Sequence, residues 1–217
     1  MELKGTAINF LGDSITEGCG TSEPGKRFTD ILSSEYEVIS FNYGIGGTRI
    51  ARQATPSEFP RHDLDFCSRV DELEPSSDAV VVFGGTNDFG HGDAPIGTPN
   101  DRTVDTFYGA MHVLCTKLIE KFPGKPIVFI TPLHRLNEDN KNGDNKPYPV
   151  GDLYDYVKII REVTEIYSIP VLDLFKESGI QPKIPVIKDM FMPDGLHPND
   201  EGHKILAQKI ANFLEKM

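Results

Sequence analysis

Two polar segments near opposite ends of the chain carry the residue types needed for acyl transfer. Gly12-Asp13-Ser14 follows an apolar run and offers a hydroxyl nucleophile. In Asp194-Gly195-Leu196-His197-Pro198, a carboxylate stands three residues before an imidazole. A carboxylate at that spacing can accept a hydrogen bond from His Nδ1 and leave Nε2 free as a base. The sequence therefore predicts a nucleophile, a base and an orienting acid: Ser14, His197 and Asp194.

Two middle segments offer hydrogen-bond donors for developing negative charge. The first is Asn42-Tyr43-Gly44-Ile45-Gly46-Gly47-Thr48, whose glycines allow the backbone to approach another group closely. The second is Gly84-Gly85-Thr86-Asn87-Asp88, in which the Asn87 amide can donate to an oxyanion. Each segment alone is also typical of an ordinary turn. The prediction of catalysis rests on all four segments occurring together.

The elements that must position these residues follow a β-α pattern. Five continuous apolar runs are typical of parallel strands buried on both faces. They predict an α/β fold, a three-layer α/β/α sandwich with a five-stranded parallel sheet, whose ligands bind beyond the carboxyl ends of the strands. The predicted strands are Thr6–Leu11, Val38–Tyr43, Ala79–Phe83, Ile127–Thr131 and Ile169–Leu174.

Apolar residues at three- and four-residue steps predict the helices between the strands. Asn199 or Asp200 is expected to cap the last one. Two long loops, 89–102 and 133–150, are rich in Gly, Pro, Asn and Asp. No linker or internal repeat interrupts residues 1–217, which predicts a single domain. The predicted helices are Thr103–Phe122, Leu153–Tyr167 and a last one that carries Ile205, Leu206, Ile210, Phe213 and Leu214 on one face, with weaker ones at Arg27–Glu35 and Leu64–Leu73.

Composition narrows the class of protein. The 217 residues carry 22 Lys and Arg against 33 Asp and Glu, a net charge of −11, which disfavours nucleic acid and anionic membranes as partners. The three separated cysteines do not resemble a disulfide framework. No apolar stretch is long enough for a membrane span and no signal-type core is visible, so we expect a cytoplasmic protein, with a secreted protein whose signal has been removed as the alternative. The sequence leaves the oligomeric state open, including a homo-oligomer.

Nucleotide and metal sites are the weaker alternatives. Residues 20–26 fit the spacing of a phosphate-binding loop, but Arg27 stands where a magnesium-binding Ser or Thr is needed. A metal site is conceivable but no dense ligand cluster supports it, so we expect none. Its candidate ligands are Asp194, His197 and either His203 or His91.

Several other reactive residues are expected to take no part in catalysis. Cys19 lies five residues past Ser14 but has no motif of its own, and Asp173 is a reserve carboxylate with an expected structural role. The remaining histidines are predicted to be structural or on the surface: His62, His91, His112, His134 and His203.

The four segments together resemble the SGNH/GDSL hydrolase family, in its bacterial acylhydrolase-like branch. The matching blocks are Gly12–Gly18, Asn42-x-Gly44-x-x-Gly47, Gly85–Asp88 and Asp194–Pro198, which span nearly the whole chain. The resemblance implies a flavodoxin-like sandwich, catalysis without a cofactor, and an oxyanion hole formed by Ser14, Gly47 and Asn87. One detail departs from the commonest pattern, because Thr48-Arg49 follows Gly47 where many members have Asp-Thr.

The resemblance implies a serine ester hydrolase with an acyl-enzyme on Ser14. The polar loops favour short acyl groups, such as acetyl on a carbohydrate, and hence a small-molecule or carbohydrate ester as the partner. A lysophospholipase or acyl thioesterase is the alternative within the family, and a non-catalytic sugar-binding module is the alternative from a different class. Asp13, Arg49 and Asp88 are candidate substrate-binding residues at the pocket edge.

Overall fold

A five-stranded parallel sheet forms the centre of the computed structural model, which describes residues 1–217. The strand order is β2-β1-β3-β4-β5, so the chain leaves β1 first to one side and then to the other. Such a reversal opens a crevice beyond the carboxyl end of β1. The strands are β1 (Ala7–Gly12), β2 (Ile39–Gly44), β3 (Ala79–Phe83), β4 (Ile127–Ile130) and β5 (Val171–Leu172).

Nine α-helices and three short 3₁₀ turns accompany the strands. No helix is both long and apolar enough to cross a membrane. The helices are α1 (Ser14–Glu17), α2 (Phe28–Tyr36), α3 (Phe66–Arg69), α4 (Thr86–Gly90), α5 (Phe107–Lys121), α6 (Leu153–Ile166), α7 (Leu174–Glu177), α8 (Pro185–Phe191) and α9 (Asp200–Glu215).

The sheet is buried on both faces because its strands send apolar side chains alternately to two cores. Leu11, Val80 and Val82 join the core that contains residues of α3, α5 and α6. Phe10 and Val81 join the core that contains residues of α2 and α9. The predicted α/β/α sandwich with a five-stranded parallel sheet is therefore confirmed.

Several predicted elements have different bounds, most of them by one residue, and in three elements a capping side chain sets a larger difference. The last strand ends at Leu172, since Asp173 accepts from the Lys176 N–H and starts α7. The helix predicted from Thr103 begins at Phe107, after the cap Thr106. The predicted helix 64–73 is shorter and divided, with Asp65 capping α3 and a 3₁₀ turn at 70–72. Asn199 is confirmed as the cap of α9, whereas α8 was not predicted.

Candidate active site

A hydroxyl, an imidazole and a carboxylate from the two ends of the chain meet beyond β1. Ser14 Oγ lies 3.0 Å from His197 Nε2, and His197 Nδ1 lies 2.7 Å from Asp194 Oδ2. The second carboxylate oxygen, Oδ1 of Asp194, accepts the backbone N–H groups of Leu196 and His197 at 2.8 and 2.7 Å. The structure thus brings together the three residues that the sequence predicts as nucleophile, base and acid.

The electrostatics of Asp194 define the proton positions on His197. Partial burial raises the pKa of Asp194, but the N–H groups of His197 and Leu196 and the imidazole outweigh it and keep the pKa below its usual value. An ionised carboxylate accepts only, so Nδ1 of His197 carries the proton and Nε2 is free to accept from Ser14. This arrangement can withdraw the hydroxyl proton during nucleophilic attack.

Ser14 is held by the short turn between β1 and α1. The carboxylate of Asp13 caps α1 by accepting from the Ile15 N–H at 3.0 Å. Burial raises the pKa of Asp13 to about 6, against the opposing effects of the Ile15 N–H and the charges of His197 and Arg69. Asp13 is thus buried beneath the nucleophile, and its contacts are structural; they give no support to the predicted role in substrate binding.

A buried arginine that the sequence analysis missed ties the first two strands together at this edge. Arg69 donates to the carbonyl oxygens of Gly12 at 2.8 Å and Tyr43 at 3.1 Å. Its guanidinium also lies over the ring of Phe66, 4.8 Å from the centroid. These contacts fix the point at which the chain turns towards Ser14. No local pattern around Arg69 signals this role.

The turn after β2 places Gly47 in a conformation that favours glycine. Its φ is +77°, and a Cβ atom there would lie 2.7 Å from Cγ of the His62 ring. The N–H of Gly47 donates to no acceptor in the protein and is available to a ligand. Glu17 of α1 holds the same turn by accepting from the Gly46 N–H at 2.6 Å, and its carboxylate also pairs with Arg61.

Asn87 approaches the same turn from α4. Its Nδ2 donates one hydrogen to the carbonyl oxygen of Thr48 at 2.9 Å, which leaves the second amide hydrogen available. The neighbouring Asp88 is buried and accepts the N–H groups of Ile50 and Ala51 at 3.0 and 2.9 Å. Burial raises the pKa of Asp88 to about 6, despite those two bonds. The contacts of Asp88 therefore fix the backbone after Gly47, and give no support to substrate binding.

Comparison with known proteins agrees with this geometry. Residues 10–205 match the GDSL-like Lipase/Acylhydrolase family. The chain belongs to this family. It is 24% identical over 216 residues to GDSL lipase Rv0518 of Mycobacterium tuberculosis, covering 95% of this chain and 80% of that protein.

Solved structures share the fold of this GDSL family member. A protein from Lactobacillus plantarum superposes with a TM-score of 0.83 at 30% identity, covering 99% of this chain and 98% of that one. An acetyl xylan esterase superposes with a TM-score of 0.63 at 22% identity, covering 95% and 98% of the two chains. The predicted family and fold are thus both confirmed.

A polar cavity of about 580 Å³ adjoins the Asn87 side of this GDSL-family site. His91 connects the two, because it lines the cavity and its Nε2 lies 3.2 Å from Asn87 Oδ1. Lys146 lies in the wall, is 8% exposed, and donates to the Asp88 carbonyl oxygen at 2.7 Å. The lining residues are Gln53, Ala54, Thr55, Pro56, Ser57, His91, Gly92, Asp93, Asp144, Asn145, Lys146, Pro147 and Tyr148.

Two histidines predicted to be bystanders lie at the GDSL-family site instead. His62 covers Gly47, and His91 contacts both Asn87 and the buried Arg49. The four-residue spacing of Asn87 and His91 is the sequence signal that could have revealed the second contact, since such residues are neighbours on a helical turn. Arg49 itself is buried, and its Nη1 donates to the His62 carbonyl oxygen at 2.8 Å. Its contacts are within the protein and give no support to the predicted role in substrate binding.

The remaining candidates have structural contacts. His203 is buried, stacks on Phe28 and accepts from the Phe28 N–H at 3.1 Å, and burial lowers its pKa to about 4. Asp173 pairs with Arg161 at 2.8 Å. Burial and the Glu17 charge raise the pKa of Cys19, which disfavours its thiolate. No group of three or more His, Cys, Asp and Glu side chains is placed to hold a metal ion.

Proposed function

We propose that the protein is a serine ester hydrolase acting on short-chain acyl esters, with acetyl groups on carbohydrates as the preferred substrate class. The observation that carries the hydrolase assignment is the 3.0 Å contact between Ser14 Oγ and His197 Nε2, with Asp194 on the far side of the ring. A non-catalytic sugar-binding module has no need of that alignment. Membership of the GDSL family supports the same class of reaction.

The reaction proceeds in two steps through Ser14. Oγ attacks the ester carbonyl while His197 Nε2 takes the hydroxyl proton, and the N–H of Gly47 and the amide of Asn87 stabilise the oxyanion, together with the Ser14 N–H. Collapse of the tetrahedral intermediate breaks the ester bond, and His197 returns the proton to the leaving alkoxide. Water then attacks the acyl-enzyme, with His197 again acting as base, and releases the carboxylic acid and free Ser14.

The cavity beside Asn87 supports a polar substrate. Its wall combines carboxylates, an ammonium group, a phenol and amides, with few apolar side chains. A hydroxyl-rich group can satisfy such donors and acceptors, whereas a long acyl chain would leave them desolvated and unpaired. The structurally similar acetyl xylan esterase is consistent with this preference. The lining is the reason to place lysophospholipase and long-chain thioesterase activity second.

The chain-length preference tests the acyl half of the proposal. Hydrolysis of p-nitrophenyl esters from acetyl to dodecanoyl should be fastest for the shortest acyl groups, with Ser14→Ala as the inactive control. A rate that increases steadily towards the longest chain would refute the short-acyl assignment. Failure to hydrolyse any of these esters or an acetylated oligosaccharide would refute the hydrolase assignment itself.

A substitution at the cavity rim tests the alcohol half. Thr55 is exposed on the rim, so Thr55→Trp should obstruct the cavity without touching Ser14. We expect a higher KM for an acetylated xylo-oligosaccharide and an unchanged KM for p-nitrophenyl acetate, which carries no sugar to bind in the cavity. Ser34→Trp, on the exposed side of α2, is the matched control. If Thr55→Trp leaves the KM for the oligosaccharide at its wild-type value, the sugar binds elsewhere.

A further inference from the structure

Asn87 is held at both ends by consecutive residues of the turn after β2. The Thr48 carbonyl oxygen accepts from Asn87 Nδ2 at 2.9 Å. The Arg49 side chain reaches the other end through a histidine, because Arg49 Nη2 lies 3.0 Å from His91 Nδ1 and His91 Nε2 lies 3.2 Å from Asn87 Oδ1. The four residues form a closed ring of contacts next to the N–H of Gly47.

The contact with Arg49 determines which nitrogen of His91 carries the proton. A guanidinium donates and never accepts, so His91 Nδ1 must be the unprotonated, accepting nitrogen. The single proton of the neutral imidazole then lies on Nε2, which donates to Oδ1 of Asn87. The Thr48 carbonyl independently requires Nδ2 on its side of the amide. Both requirements select the same orientation of Asn87, in which the amide end faces the turn with Gly47.

The surroundings of His91 favour the neutral ring. The loss of surrounding water and the charge of Arg49 lower the pKa of His91 to about 4, with His62 and Lys146 acting in the same direction and Asp144 in the opposite one. Arg49 is itself fixed, since it is 4% exposed and its Nη1 donates to the His62 carbonyl oxygen at 2.8 Å. Arg49 therefore holds the His91 ring in place, and the ring's Nε2 donates to Asn87.

We propose that Arg49 and His91 are positioning residues that hold the Asn87 amide in the orientation needed to stabilise the oxyanion. This inference rests on the proposed ester hydrolysis, in which Asn87 donates to the developing negative charge. Neither residue touches the reacting atoms. They act by fixing the side-chain orientation of Asn87, which stabilises the transition state and not the bound substrate. Their loss should therefore change kcat and leave KM unchanged.

Kinetics of matched variants test the proposal on p-nitrophenyl acetate. His91→Ala should lower kcat roughly 3- to 10-fold with KM unchanged, the usual size of one lost hydrogen bond. His91→Gln retains a side-chain donor and should recover part of that loss. Arg49→Met should resemble His91→Ala, whereas Arg52→Met, which removes only an exposed pair with Asp105, is the control with wild-type kcat. An unchanged kcat in His91→Ala would overturn the proposal.

Nitrogen NMR of histidine-labelled wild-type protein tests it without any activity measurement. The spectrum should show His91 as the tautomer protonated on Nε2 at neutral pH, with its signals identified by their absence in His91→Gln. A proton on Nδ1, or a charged ring at neutral pH, would overturn the proposal whatever the kinetics of the variants. Wild-type protein that shows the expected tautomer but hydrolyses no ester would instead count against the proposed function.

Discussion

The two halves of the active site are built in opposite ways. The half that carries the nucleophile and the oxyanion donors is buried, with Ser14 7% and Asn87 4% exposed. The half that carries the base and the acid is open to solvent, with the His197 side chain 23% and the Asp194 side chain 54% exposed. Ser14 and Asn87 follow β1 and β3 at the carboxyl ends of these strands. The hydrogen bonds of Asp194 all go to Leu196 and His197 in its own loop.

This difference matches the two tasks of the site. Stabilisation of an oxyanion requires donors that are already oriented and shielded from water, because reorganisation would cost part of the gain. Proton transfer by His197 requires an imidazole that can exchange protons with incoming water during deacylation. Burial is therefore concentrated where charge develops, and solvent access where a proton moves.

The largest expected effect falls at the contact that joins the halves. Ser14→Ala and His197→Ala should each lower kcat for p-nitrophenyl acetate by at least about 10⁴-fold, since the nucleophile and its base act as a unit. The double variant should be no worse than either single one. Steady-state rates of the three proteins measure this, and additive losses would show that the two residues act independently.

A smaller loss is expected in the buried half. Asn87→Ala removes one preorganised donor and should lower kcat about 10²- to 10³-fold, with little change in KM. Asn87→Asp is the sharper comparison, because it keeps the shape but places a carboxylate opposite the oxyanion and should be at least as damaging. Full activity of Asn87→Ala would remove this residue from the oxyanion hole.

The exposed acid should matter less than the buried donor. Because Asp194 is exposed, water already weakens its interaction with the His197 imidazolium and can solvate that imidazolium in Asp194→Asn. We therefore expect kcat to fall about 10²-fold, rather than the roughly 10⁴-fold seen for a fully buried triad acid. Measuring kcat for Asp194→Asn and Asn87→Ala on the same substrate makes the comparison. A loss of 10⁴-fold would contradict the effect of exposure, and a loss under twofold would leave Ser14 and His197 as a dyad.

The same contrast predicts opposite effects of pH on stability. Asp13 has a raised pKa of about 6, so it stabilises the fold only at low pH and this contribution is lost as pH rises from 4 to 6. Asp13→Asn keeps a capping oxygen but has no carboxylate to ionise. Its free energy of unfolding relative to that of wild type should increase by about 2 to 3 kcal/mol between pH 4 and pH 7. Unfolding by urea at several pH values measures it.

Asp194→Asn should change in the other direction. The pKa of Asp194 is lowered, so its ionised form stabilises the native state above its unfolded pKa and this contribution is lost as pH falls. The variant should therefore lose stability relative to wild type as pH rises through the acidic range. Parallel pH profiles for the two variants would contradict the division of the site into a buried and an exposed carboxylate.

The smallest effect is expected at Cys19, an exposed thiol next to the nucleophilic turn. Because its pKa is raised rather than lowered, the thiol lacks the thiolate character of a catalytic cysteine. Cys19→Ser should keep activity within about twofold of wild type. A large loss would revive Cys19 as a competing nucleophile.

The exposed half of the site is easier to predict from the sequence than the buried half. Asp194 and His197 lie three residues apart, so their contact can be predicted from spacing alone. Composition and periodicity likewise suffice to predict the five strands, because each strand is a local apolar run. Strand and helix ends were less accurate where a capping side chain, such as Thr106 or Asp173, decided the boundary.

The buried half depends on partners that no local pattern reveals. Asn87 bonds to Thr48, 39 residues away, and His91 contacts Arg49, 42 residues away. Arg69 binds the Gly12 carbonyl across 57 residues. Such contacts depend on the crossover topology, so neither the roles of His62 and Arg69 nor the contact of His91 with Arg49 could be assigned from residue type; only the contact of His91 with Asn87 has a local spacing signal. For the same reason Asp13, Arg49 and Asp88 were assigned to substrate rather than to the contacts that they make within the protein.

Covalent labelling with a fluorophosphonate, followed by peptide mapping, tests the central claim that Ser14 is an activated nucleophile. We expect one adduct per chain on Ser14, with activity lost in proportion, no adduct in Ser14→Ala and much slower labelling in His197→Ala. Wild-type protein that hydrolyses esters while Ser14 stays unmodified, or that carries the adduct on another residue such as Cys19, would contradict the account.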